Sequence, residues 1–212
     1  PEEIAYTKAA LRWAKEAGDE MLQHTCRFAL GFMLLWQAQP APTAAAAELE
    51  LAAEGGRATG NVPLLDRCLA YLSIAYRLQG AADRVETLLP HSLVVAESEE
   101  NGSYIGVAQA NQAWLAARAR RWGQVAPLAQ AALDQWQKLV FPFHWLAAWP
   151  LLAAAAGRGE MATAVAPAQI MLAPNQHKLP AELEAALETA VAQPTPKTFQ
   201  HALKLARKQK ML

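Results

Sequence analysis

The side chains able to do chemistry are few and dispersed. The chain has five histidines, His24, His91, His144, His177 and His201, and two cysteines, Cys26 and Cys68. A metal site needs ligands at short regular spacing, such as two or four residues apart on a suitable turn or helix face. Only His24 and Cys26 are close, and two residues apart on a helix places them on different faces. No metal ligand set is therefore expected. Cys26 and Cys68 fall at equivalent positions of successive helical units, farther apart than a disulfide can span. Both read as packing residues. Ser73, Ser92, Ser98 and Ser103 lack the G-x-S-x-G frame of a nucleophile elbow. In Gly55–Asn61, GGRATGN, the glycines are spaced like a phosphate loop. Asn61 and Val62, however, replace the Lys that grips phosphate and the hydroxyl that holds magnesium. The segment reads as a linker ending a helix. Glu97, Glu99 and Glu100 form a solvated acidic turn, with nothing to set their pKa values apart. No catalytic group, no metal and no cofactor is expected.

What must position these side chains is helical. The 212 residues include 48 alanines and 29 leucines, and only 18% are charged. Both abundant types are strong helix formers. A chain that is 53% hydrophobic with seven tryptophans is not disordered. Nineteen basic residues balance nineteen acidic ones, which argues against general nucleic-acid binding. The cysteine count points to a reducing, cytoplasmic setting. Pro1, followed by Glu2 and Glu3, reads as a start inside a longer chain, with no signal-peptide pattern. Residues 139–157, LVFPFHWLAAWPLLAAAAG, carry no Lys, Arg, Asp or Glu. Pro142, His144 and Pro150 interrupt them, so two buried helix ends around a turn at Phe141–Pro142 are expected rather than a membrane span.

Helical periodicity is nearly continuous. Gly and Pro break it at regular intervals, giving about ten helices joined by short turns. The expected frame is one array over 1–212. It has an orphan helix at 1–17 and hairpins at about 19–58, 62–99, 103–140, 143–173 and 180–210. Turn glycines set a repeat: RLQG ends at Gly80, RRWG at Gly123 and GRG at Gly159. Leu72, Leu115 and Leu151 each stand eight residues before their glycine. Val85, Leu128 and Ala164 follow by five, and Leu89, Ala132 and Ala168 by nine. Gly31, in ALGF, and small residues such as Ala116 let antiparallel helices approach closely. Each hairpin leaves an apolar face that only its neighbours can cover.

These residues resemble tetratricopeptide (TPR) repeats. In LSIAYRLQG, Leu72, Ser73, Tyr76 and Gly80 stand at the repeat's Leu, small, aromatic and turn-glycine positions. In GEMATA, Met161 and Ala164 match the second helix. Unit lengths differ from the family's usual 34, and Ala119 and Ala155 replace the aromatic. The phrases QANQAWLAARARRWGQVAPLAQAALDQW, PFHWLAAWPLLAAAAGRG and QHKLPAELEAALETAV resemble the C-terminal helical repeats of large bacterial ATP-binding signalling and transcription-regulator proteins. The resemblance covers most of residues 19–192. It implies an all-α fold, a right-handed superhelix of stacked antiparallel hairpins whose first helices line a concave wall. On that wall it places Phe28, Phe32, Arg67, Tyr71, Arg77, Trp114, Arg120 and Trp149. Mixed Arg and aromatic side chains suit a peptide or an anionic group.

The tail from Lys197 carries Lys197, Lys204, Arg207, Lys208 and Lys210 and no acidic residue, with Phe199, Ala202, Leu203 and Ala206 as an apolar stripe. It reads as a cap for the end of the stack. A helix or acidic membrane surface to dock on, and nucleic acid, are the weaker alternatives. The expected function is a non-catalytic, protein- or peptide-binding sensory module of a signalling ATPase. Its partners would include other domains of its own parent chain, with no direct nucleic-acid contact and no membrane span. The alternative is a small-molecule sensor holding a metabolite between Trp114 and Trp149.

Overall fold

The computed structural model describes residues 2–212, and every regular element among them is an α-helix. The eleven helices are α1 (Glu2–Glu16), α2 (Glu20–Trp36), α3 (Pro42–Ala58), α4 (Val62–Gln79), α5 (Ala82–Ser98), α6 (Gly102–Arg118), α7 (Trp122–Trp136), α8 (Trp145–Gly157), α9 (Met161–Leu172), α10 (Ala181–Ala192) and α11 (Pro196–Lys208). No helix is long and apolar enough to cross a membrane. Helix α7 ends before the uncharged stretch at 139–157 and α8 fills Trp145–Gly157, so Pro142 and His144 precede the helix while Pro150 lies inside it.

Three of the helices, α2, α4 and α11, start where a backbone N–H finds a side-chain partner. Asp19 accepts from Leu22 N–H at 2.9 Å, and Asn61 accepts from Leu64 N–H at 3.1 Å. Thr195 and Thr198 form a reciprocal capping box on α11. Pro42, Pro63 and Pro196 sit in first turns, where a missing N–H costs nothing. The ends are just as regular. Gly60, Gly80, Glu100 and Arg120, spaced twenty residues apart, all adopt positive φ. At Gly80 the next amide, Ala81 N–H, reaches back to Tyr76 O at 3.0 Å, and at Arg120 the Arg121 N–H reaches Ala116 O at 2.8 Å. This closure satisfies carbonyls the helix leaves open.

Two expectations about glycine need correction. Gly123 does not end a helix: the left-handed residue after α6 is Arg120, and Gly123 lies in the first turn of α7. Gly55 and Gly56 are not in a linker but inside α3. Their role is close approach. A Cβ on Gly55 would collide with the His24 ring, and one on Gly56 would lie 3.1 Å from the Leu65 amide nitrogen. A helical Gly55 also removes any phosphate-loop geometry. Pro90, Pro127, Pro150 and Pro167, which carry no boundary, lie inside α5, α7, α8 and α9.

The chain divides into two compact units, the first ending at Tyr104 and the second beginning at Ile105. In the first, α1 packs on α2, α2 on α3, α3 on α4 and α4 on α5, with α2 also touching α4. Gly31 makes the α2–α3 approach possible, since a Cβ there would stand 2.6 Å from Leu49 Cγ. A core of Ala52, Ala53, Leu64, Leu65, Cys68, Leu69 and Val95 joins α3, α4 and α5. In the second unit, α7 to α11 pack in order, and α11 folds back on α8 and α9. Its apolar stripe, Phe199, Ala202, Leu203 and Ala206, is buried there. Ala116, Ala117, Val125 and Ala154 form a small-residue contact between α6, α7 and α8. The short alanine side chain is what lets three helices meet this closely.

Candidate functional site

The eight residues placed on the concave wall are distributed over both units. In the first unit, four of them converge. Phe28 and Phe32 lie one turn apart on α2, with ring centroids 6.3 Å apart. Tyr71, from α4, meets Phe32 edge-on at 5.0 Å and Phe28 at 5.9 Å. The exposed Arg67 guanidinium sits 5.3 Å from the Phe28 ring centroid, with its Nε donating to Pro63 O at 3.2 Å. Phe28 and Phe32 are half-buried. Rings in such edge and tilted contacts hold one another in place while keeping an open edge.

Two further rings extend the file. Trp36, one turn beyond Phe32, makes an edge contact at 6.3 Å. Tyr104 meets Tyr71 at 6.0 Å. The four-residue spacing of Phe28, Phe32 and Trp36 carries the signal for the first addition. The second depends on a tertiary meeting of α4 with the start of α6. Burial raises the Tyr71 hydroxyl to about 12 and pushes the Tyr104 hydroxyl up as well, so both stay protonated donors at neutral pH.

Behind this face lies Asp66, which the sequence reading passed over. It is 1% exposed. Asn101 Nδ2 donates to its Oδ2 at 3.1 Å, tying α4 to the turn before α6, while Oδ1 has no hydrogen-bond partner. Burial raises its pKa to about 6; the Asn101 bond and Arg67 oppose that, and Glu99 adds to it. The signal was available in VPLLDRCLA, where the positions three and four residues either side of Asp66, Val62, Pro63, Leu69 and Ala70, are all apolar.

Of the other four residues, one lies farther along α4 and three belong to the second unit. Arg77, on α4, is fully enclosed, and burial disfavours its charged form. Trp114 and Trp149 are completely buried in the second unit, with Arg118 lying 4.8 Å over the Trp114 ring. Arg120 is exposed at the α6–α7 turn, where its φ is 55°.

The reactive side chains are held apart or sealed. Cys26 and Cys68 are buried free thiols. Burial lifts the Cys68 thiol to about 12 and also raises Cys26, with Asp19 adding to the latter. His144 stacks on Trp136 at 5.3 Å, and burial lowers its pKa, as it does for His177. Among the described residues, no three His, Cys, Asp or Glu side chains converge as a metal site would require.

Comparison with family models, with curated proteins and with solved structures finds no match to this chain.

Proposed function

We propose that the chain is a non-catalytic, cytoplasmic interaction module that binds a peptide segment of a partner protein across the aromatic face of its first unit. The observation that carries this reading is the ring file of Trp36, Phe32, Phe28 and Tyr71, half-open on one side and bordered by Arg67. Rigid rings give contact area at low entropic cost, and an adjacent guanidinium adds a charge-assisted hydrogen bond. The partner chemistry that fits is a short segment with an apolar or aromatic anchor near a carboxylate. The likeness of the repeats to those of bacterial signalling ATPases supports placing such a segment in another domain of a longer parent chain or in a protein it regulates.

A displayed peptide library panned against the 212-residue chain tests this. Selected peptides should share an aromatic or leucine anchor within a few residues of Asp or Glu. Phe32→Ala should weaken the selected peptides by about 30-fold or more, the scale of a central aromatic anchor. Arg67→Gln should weaken only peptides that keep the acidic residue. Equal binding by wild type and Phe32→Ala, with both folded by circular dichroism, removes the face from the account.

A further inference from the structure

The second unit carries a cleft of about 810 Å³ between the C-terminal ends of α6 and α8 and one side of α11. Its walls are apolar, with the buried side chains of Ala117, Ala153 and Leu203 and the half-buried Trp122. Its rim is basic. Arg118, Arg120 and Arg207 all line it, together with Gln200 and the terminal residue Leu212, and no aspartate or glutamate side chain does. Among the described residues, no carboxylate, side-chain or terminal, comes within salt-bridge distance of these three guanidinium groups. Arginines elsewhere at helix contacts do find one: Arg27 pairs with Glu48 at 2.8 Å and Arg84 with Glu50 at 2.9 Å.

One structural explanation for such a cluster is helix-end neutralisation, since α6, α8 and α11 all end near it. Each C-terminal end carries only about half a negative charge. Three full positive charges exceed the three helix ends and the Leu212 terminal carboxylate taken together, and the N-terminal end of α7 at Trp122 adds to the positive side. Apolar walls around an uncompensated charge focus its field rather than screening it. The volume also falls in the range of small-molecule sites, about 300–1,000 Å³.

We propose that this cleft binds a small molecule carrying two or more phosphate or carboxylate groups. The guanidinium groups of Arg118, Arg120 and Arg207 take the anionic oxygens through paired N–H donors. Trp122 and Leu203 cover the ligand's less polar body. The site is independent of the aromatic face in the first unit and does not rest on that reading.

Titration calorimetry on the 212-residue chain tests it, with sodium tripolyphosphate in one arm and citrate in the other, at constant ionic strength set by sodium chloride. Saturable binding of one probe per chain is expected in at least one arm. Tripolyphosphate alone marks a phosphate-bearing ligand and citrate alone a polycarboxylate. Arg118→Gln and Arg207→Gln should each weaken binding at least tenfold, while Arg57→Gln, on α3 in the other unit, should leave it unchanged. Should Arg118→Gln unfold through its loss of the Trp114 contact, Arg207→Gln decides alone. Absence of binding in both arms overturns the proposal. So does binding that the cleft variants leave intact, or that Arg57→Gln weakens equally.

Discussion

Replacing Trp136 with alanine should lower the unfolding free energy of the second unit by about 3–5 kcal/mol, the range for truncating a fully buried aromatic. The residue is 1% exposed at the end of α7. Its indole stacks on Phe141 at 4.6 Å and on His144 at 5.3 Å, and its pyrrole atoms lie against Gly106 of α6. A glycine cannot extend into the space the indole would vacate, so the cavity persists and the loss falls toward the upper end. The reverse substitution gives an internal control. A Cβ at Gly106 would stand 2.6 Å from Trp136 Cε2, so Gly106→Ala should cost about 1–3 kcal/mol through overpacking. In the Trp136→Ala background the same change should become neutral or stabilising by up to about 1 kcal/mol, because alanine is the better helix former. Urea denaturation followed by far-ultraviolet circular dichroism measures all four proteins. An unchanged sign for Gly106→Ala in the two backgrounds would show that the two residues do not press on one another.

The second large effect is expected at Asp66 and depends on pH. Its pKa rises from 3.8 in the unfolded chain to about 6 in the fold, chiefly through burial. The folded state therefore favours the protonated acid. That stabilisation is complete below pH 3.8 and is lost as pH rises through about 6. A shift of this size corresponds to about 3 kcal/mol. Asp66→Asn keeps an oxygen to accept the Asn101 hydrogen bond and removes the buried charge. At about pH 7.5 the variant should be more stable than the parent by up to about 3 kcal/mol, with the difference closing toward about pH 4. His144 and His177, both lowered by burial, destabilise either protein below pH 6.5 and cancel in the comparison. A difference that stays constant across this range would mean that Asp66 is equally charged in both states.

The extent to which this molecule is legible from its residues varies with the physics involved. Helix boundaries follow from local chemistry: Asp19 and Asn61 cap, Pro42 and Pro196 start, Gly80 and Gly159 close in the left-handed conformation. Gly123 misled because Arg120 takes a conformation usually left to glycine, so the turn and the glycine separate by three residues. Gly55 and Gly56 misled for a different reason. A glycine in a helix reads as a break, but here it is a socket for His24 and for the α4 backbone, and only the tertiary contact shows it. The same limit applies to the candidate site. Periodicity groups Phe28, Phe32 and Trp36 on one face of α2. It cannot say that Trp114 and Trp149, with the same apparent face assignment, are fully enclosed, because that depends on what packs over them. The three arginines of the second cleft come from α6, from the turn after it and from α11, and no local pattern joins them.

The two sealed thiols have a practical consequence. Cysteine reacts as the thiolate, and burial holds Cys68 at about 12 and lifts Cys26 as well. The natural chain is thus close to silent toward maleimide dyes at neutral pH. Cysteines introduced at the exposed Val94 in the first unit and Val140 in the second would be the positions that label. Energy transfer between dyes there would give a direct ruler between the two units, read with peptide, tripolyphosphate or neither present, without first removing any native residue.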